Sequence, residues 1–122
     1  MAGKITVSTI NDSSGVLATQ NGMTGIAKAW VTYNSSAQTI SASFNVSSVI
    51  YSSTGNFTIN FTTSMPSSNY GVSGMCKATG QNGPTITISS STAPTASAVA
   101  LSMGDVTGYQ NSTFNSISVF SS

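Results

Sequence analysis

The sequence predicts an all-β fold: an antiparallel, jelly-roll-like β-sandwich of about nine short strands with an extended N-terminal arm. Three observations point there. Residues 55–63, GNFTINFTT, alternate strictly, with Phe57, Ile59 and Phe61 on one side and Thr58, Asn60 and Thr62 on the other. That period of two marks a strand with one dry and one wet face. Short apolar runs of this kind recur along the chain, divided by Gly, Asn, Ser and Pro clusters. The usual helix formers Leu, Glu, Lys and Arg are scarce, and no amphipathic helical pattern occurs.

Taken in order, residues 4–10, KITVSTI, read as a strand, and NDSSG at 11–15 as a turn. Residues 20–25, QNGMTG, read as a loop around a tight Asn21-Gly22 turn. Residues 1–24 are expected to form an arm that lies against another chain, and 25–122 the sandwich. The next strand, 26–34, carries Ala27, Ala29, Val31 and Tyr33 on one face and Ile26, Lys28, Trp30 and Thr32 on the other. Apolar groups on both faces predict that both are covered. Strands follow at 39–44 (Ile40, Ala42 and Phe44 aligned), 47–51 and 55–63. Pro66 has no amide donor and breaks the run at MPSSN. Strands are then expected at 70–78, at 85–89 with Ile86 and Ile88 inward, at 97–103 with Val99, Leu101 and Met103 aligned, and at 117–120. TGQNGP at 79–84 is the most turn-like cluster, and 104–115 reads as a polar loop.

Composition bounds the chemistry. The chain has 122 residues, enough for one domain. Only 4% are charged, so hydroxyls and amides must form the polar surface, while 39% hydrophobic residues allow a modest core. A net charge of +1 opposes neither self-association nor close packing, and no basic patch exists to follow a phosphate backbone; nucleic acid is not an expected partner. No run of about 18 apolar residues occurs, so membrane insertion by a helix is not expected. The N-terminus lacks an apolar signal-peptide core, which predicts synthesis and release without the usual secretory route.

There is no histidine, which removes Ser-His-Asp and Cys-His catalysis and imidazole metal sites in their usual forms. Asp12 and Asp105 are the only carboxylate side chains, too few and too far apart in sequence for a glycosidase pair, and each reads as a turn residue. No catalytic residue, cofactor or metal ligand is expected. Cys76 reads as a small buried apolar group rather than a reactive thiol. The triplets Asn45-Val46-Ser47 and Asn56-Phe57-Thr58 match the glycosylation pattern by chance in so hydroxyl-rich a chain. Most aromatic residues fall at inward strand positions and read as core. Tyr109 is the exception. With Gln110 and Asn111 it offers a ring face beside amides, a pattern suited to glycan recognition. An ordinary tyrosine lying over the core edge is the other reading. Gln81 and Asn82, in the turn cluster, complete the candidate recognition surface, and residues 34–37 form a third candidate loop.

The pieces GIAKAWVTYN, ISASFNVSSV and STGNFTINFTTSMPSSNYGV, in this order and spacing, resemble a module of bacteriophage tail-fibre and related virion surface proteins. The leader KITVSTINDSSGV and the closing SISVF are similar to the openings and endings of short fibre proteins. The chain departs from that pattern in a shortened segment between Ala37 and Thr39 and in a Ser-rich ending. The resemblance implies a non-enzymatic virion protein, made in the host bacterial cytoplasm and usually a homotrimer. It would join other virion proteins of tail or capsid through residues 1–24 and touch a host-surface glycan with its loops. A capsid decoration protein, of cement or knob type, is the alternative, and a phage depolymerase a more distant one.

Overall fold

A computed structural model describes Gly3 and residues 26–78 and 83–121. The expected strand at 4–10, the arm at 1–24 and the candidates Gln81 and Asn82 lie outside the described residues. Among the described residues nine strands form: β1 (Ala27–Asn34), β2 (Thr39–Phe44), β3 (Val46–Ser53), β4 (Asn56–Phe61), β5 (Gly71–Cys76), β6 (Thr85–Ile88), β7 (Ala98–Asp105), β8 (Gly108–Tyr109) and β9 (Asn115–Phe120). All pairings are antiparallel. One sheet has the order β2-β1-β9-β5; the other has β3-β4-β7-β6, with β8 paired to the far end of β7. Among the described residues the fold is thus an all-β, two-sheet antiparallel sandwich.

Alternation places the core. Ala29, Val31 and Tyr33 of β1 and Ile117 and Val119 of β9 point inward from the first sheet, and Phe57, Ile59, Phe61, Val99 and Leu101 meet them from the second. The Tyr33 and Phe57 rings join the two sheets, with centroids 5.2 Å apart and planes tilted by 50°. Tyr70 packs edge-on against Phe61 at 5.8 Å, and its hydroxyl donates to the carbonyls of Thr95 and Ala98.

A single residue carries the chain from one sheet to the other. Asn45 stands between β2 and β3 with φ of 55°, a left-handed conformation that asparagine tolerates better than most residues. Its Nδ2 donates to the carbonyls of Lys28 and Thr63, both at 3.0 Å, and its Oδ1 accepts from the Thr63 amide at 2.7 Å. One amide side chain thereby ties β1 to the end of β4. Asn115 does similar work inside: its Nδ2 donates to the Tyr33 carbonyl, the Ser35 hydroxyl and the Ser112 carbonyl.

The structure corrects several expectations. The β1–β9 register slips between Ala27 and Ala29, and this bulge takes Lys28 out of alternation, so that Lys28 and Ala29 are both buried. The outer face of β1 is not covered throughout: Ile26 and Trp30 are exposed. Fewer aromatics are core than expected, because Trp30, Phe44, Phe114 and Phe120 all stay substantially open. Ile86 and Ile88 pair with the inward Met103 and Leu101, yet Ile88 remains 45% exposed because β6 is an edge strand. Cys76 is half-buried rather than fully inside; its thiol donates to the Pro84 carbonyl at 3.1 Å, and burial pushes its pKa up. Residues 104–115 are not one loop, for they contain β8.

Two measurements check the packing. Asn45→Ala should cost about 2–4 kcal/mol in urea unfolding, through lost hydrogen bonds and an alanine forced into the left-handed region, and Asn45→Gly should recover about 1 kcal/mol of it. The Tyr33 hydroxyl is buried with no hydrogen-bond partner among the described residues. Tyr33→Phe should therefore leave stability unchanged or raise it by about 1 kcal/mol, since the phenylalanine keeps the ring contact and removes an unsatisfied group.

Candidate functional site

The site is built on the far end of β7. The chain leaves β7 at Asp105, turns through Val106 and Thr107, and returns as β8, with Gly104 opposite Tyr109 and Asp105 opposite Gly108. Asp105 fixes the turn. Its Oδ1 accepts from the amide of Thr107 at 2.7 Å and from the Thr107 hydroxyl, and its Oδ2 accepts from Gln110 Nε2 at 2.6 Å. The Thr107 hydroxyl and then the Thr107 amide, with Gln110 behind them, hold the Asp105 carboxyl below its ordinary pKa. Asp105 is thus the turn residue its type predicts.

Asn111 then locks the hairpin to the rest of the sheet. Its Oδ1 accepts from the Gly55 amide at 2.8 Å, and its Nδ2 donates to the Tyr51 hydroxyl at 3.1 Å. That bond pulls the Tyr51 pKa down. Gly55, in the β3–β4 turn, has φ of 72°, and its carbonyl accepts from the Met103 amide at 2.6 Å. A side chain there would collide with the Met103 carbonyl and the backbone of Gln110. A Cβ on Gly104 would lie 2.6 Å from the Gly108 carbonyl oxygen. Two glycines therefore permit the close approach that seats the hairpin.

The result separates the sequence-predicted trio. Tyr109 is 62% exposed. Gln110 and Asn111 are partly buried, and their amides are engaged within the protein. They position the ring's hairpin; Tyr109 alone of the three presents a largely open surface. Of the candidate loop at 34–37, Ser35 is buried and exchanges hydrogen bonds with Ser112.

Tyr109 borders two grooves. One, about 330 Å³, is lined by Thr85, Thr87, Ser102, Gly104 and Asp105. The other, about 340 Å³, is lined by Ser53, Asn56, Thr58, Ser89, Ser91 and Thr92 among others. Sequence reasoning missed these hydroxyl walls, although the wet positions of each alternating strand carried the signal. Several of the polar groups are pre-ordered: Ser102 Oγ donates to Asn56 Oδ1 at 2.7 Å, and Asn56 Nδ2 donates to the Thr54 carbonyl at 3.0 Å. The arrangement offers an apolar ring face among neutral donors and acceptors. The Asp105 carboxylate at its edge is ionised and held by three donors, which suits it to orienting groups rather than to delivering a proton. Among the described residues no cluster of three metal-ligating side chains occurs, and no helix is long and apolar enough to cross a membrane.

Compared with known proteins, the chain matches no family model, no curated protein and no solved structure.

The Asp105 turn has an acid limit. Because the folded carboxyl titrates below its unfolded value of about 3.9, its contribution is complete at neutral pH and is lost as pH falls through the lower folded value. The amide resonances of Thr107 and Gly108 should shift together below about pH 4 while those of β4 stay fixed, and Asp105→Asn should abolish the step.

Proposed function

We propose that this chain is a non-enzymatic bacteriophage virion protein of the tail-fibre or fibre-tip kind, a homotrimer exposed on the particle and in contact with the host surface. One observation supports it above the others: the outer face of the β2-β1-β9-β5 sheet carries large exposed apolar side chains among hydroxyl residues. Trp30 stands directly opposite Phe44 in the β1–β2 register, Phe120 lies on the same face, and Met75 of β5 is 77% exposed. The strand positions between them, Ser73, Ser116, Ser118 and Thr32, are neutral. Large apolar side chains left open on one sheet face, with no charge among them, suit a contact surface. The low charge of the chain leaves little repulsion between copies. The phage assignment and the number three come from the resemblance of the sequence pieces to fibre modules.

Capsid decoration, by a cement or knob protein, is the second reading. It draws on β2, an edge strand whose six residues are all exposed and which carries neither charge nor proline. Such an edge accepts a strand from another protein. The depolymerase reading gains nothing from the engaged Asp105 carboxylate at the Tyr109 grooves.

Sedimentation of the purified chain should give three times the chain mass, and the double variant Trp30→Ser, Phe44→Ser should sediment as a monomer with unchanged circular dichroism. A monomeric parent chain would overturn the trimer. Antibody labelling of particles should mark the tail; label on the capsomers, with heat-fragile particles in its absence, would replace the fibre reading with decoration.

A further inference from the structure

We propose that the outer face of the β3-β4-β7-β6 sheet is a carbohydrate site, in which Tyr109 divides two subsites and the ligand is a neutral oligosaccharide. The inference extends the host-contact part of the reading above, but its test needs only the purified chain. Four features carry it.

The ring is free to stack. Tyr109 sits opposite Gly104, so no cross-strand side chain covers it, and the ring borders both grooves. The apolar C–H face of a sugar packs on such a ring while the sugar hydroxyls stay at its rim. Each groove has the size of a small-ligand site, which starts at about 300 Å³, and because the two meet at one ring they suit consecutive units of a chain better than a single ring.

The walls match the ligand's polarity. The side-chain hydroxyls of Thr58 and Thr92 in one groove and of Thr85 in the other make no hydrogen bond to other described residues, and each can both donate and accept. Sugar hydroxyls need that same dual capacity. The platform is also pre-ordered, because the Asn56–Ser102 bond and the Asn111 clasp hold the strands and the hairpin before any ligand arrives. Less ordering is then left for the binding step.

Charge narrows the class. Asp105 lines the first groove, and its turn keeps it ionised at neutral pH. Among the described residues no lysine lines either groove. A uronic or sialic acid would meet a carboxylate with no cation to offset it, so the face selects neutral sugars.

The test is a ¹H–¹⁵N NMR titration of the full chain with maltotetraose, cellotetraose and mannotetraose, and with tetragalacturonate as the acidic counterpart. At least one neutral tetrasaccharide should shift Tyr109, Thr87 and Thr58 together with a Kd of about 1 mM or tighter. Tyr109→Ala should weaken binding about tenfold, whereas Tyr109→Phe should hold it within about threefold. Tetragalacturonate should not bind the parent chain and should gain affinity in Asp105→Asn, which keeps the turn's acceptor and loses the charge. Absence of shifts with all three neutral sugars at about 20 mM, identical binding by Tyr109→Ala, or preference of the parent chain for tetragalacturonate would each overturn the proposal. Binding by a chain that labels no particle would leave the site standing and remove the virion reading; a labelled tail without binding would do the reverse.

Discussion

Amide side chains hold this sandwich together where other proteins use ion pairs or a thick core. With five charged residues in the whole sequence, long-range polar ties must come from neutral groups. Three asparagines supply them at three places. Asn45 joins β1 to the end of β4, Asn111 joins the β7–β8 hairpin region to the β3–β4 turn, and Asn115 joins β9 to the β1–β2 turn. An amide carries donors and an acceptor on one planar group, so one side chain can satisfy two strands at once. Such bonds do not weaken with salt as surface ion pairs do. A chain tied this way keeps its shape over a wide range of ionic strength.

The same economy divides the two sheets by task. The outer face of the first sheet carries exposed aromatics among hydroxyls; the grooves on the outer face of the second are walled by hydroxyls, with the Tyr109 ring beside them. The first suits burial against protein, and the second suits contact with something hydrated. Outside the bulges of β1 and β3, little in the sandwich core has to change for either face to vary, because successive side chains point to opposite faces of the sheet.

The strands with one plain hydrophobic face were legible from residues alone. Phe57, Ile59 and Phe61 are buried as the alternation implies, and so are Val99, Leu101 and Met103; β2 begins and ends where its pattern does. Coverage was not legible. Alternation tells which residues share a face but not whether another sheet lies over it, which is why Trp30, Phe44 and Phe120 read as core and are open. The Lys28 bulge leaves no local mark either. At the candidate site, Tyr109 was visible as a ring in a polar stretch. The engagement of Asn111 was not, because its partner Gly55 lies 56 residues away in sequence. The glycosylation-like triplets misdirect attention in the same way: Asn45 and Asn56 are structural ties whose partners are distant strands.

The two glycines beneath the hairpin have a consequence for how this surface can change over time. Gly55 and Gly104 cannot accept a side chain without displacing backbone, whereas the side chains of Val106 and Tyr109 are open to solvent. Mutational drift is thus channelled to the tip, and the platform it stands on is locked. A lineage carrying this protein can rewrite what the tip touches one residue at a time, with the scaffold inherited intact.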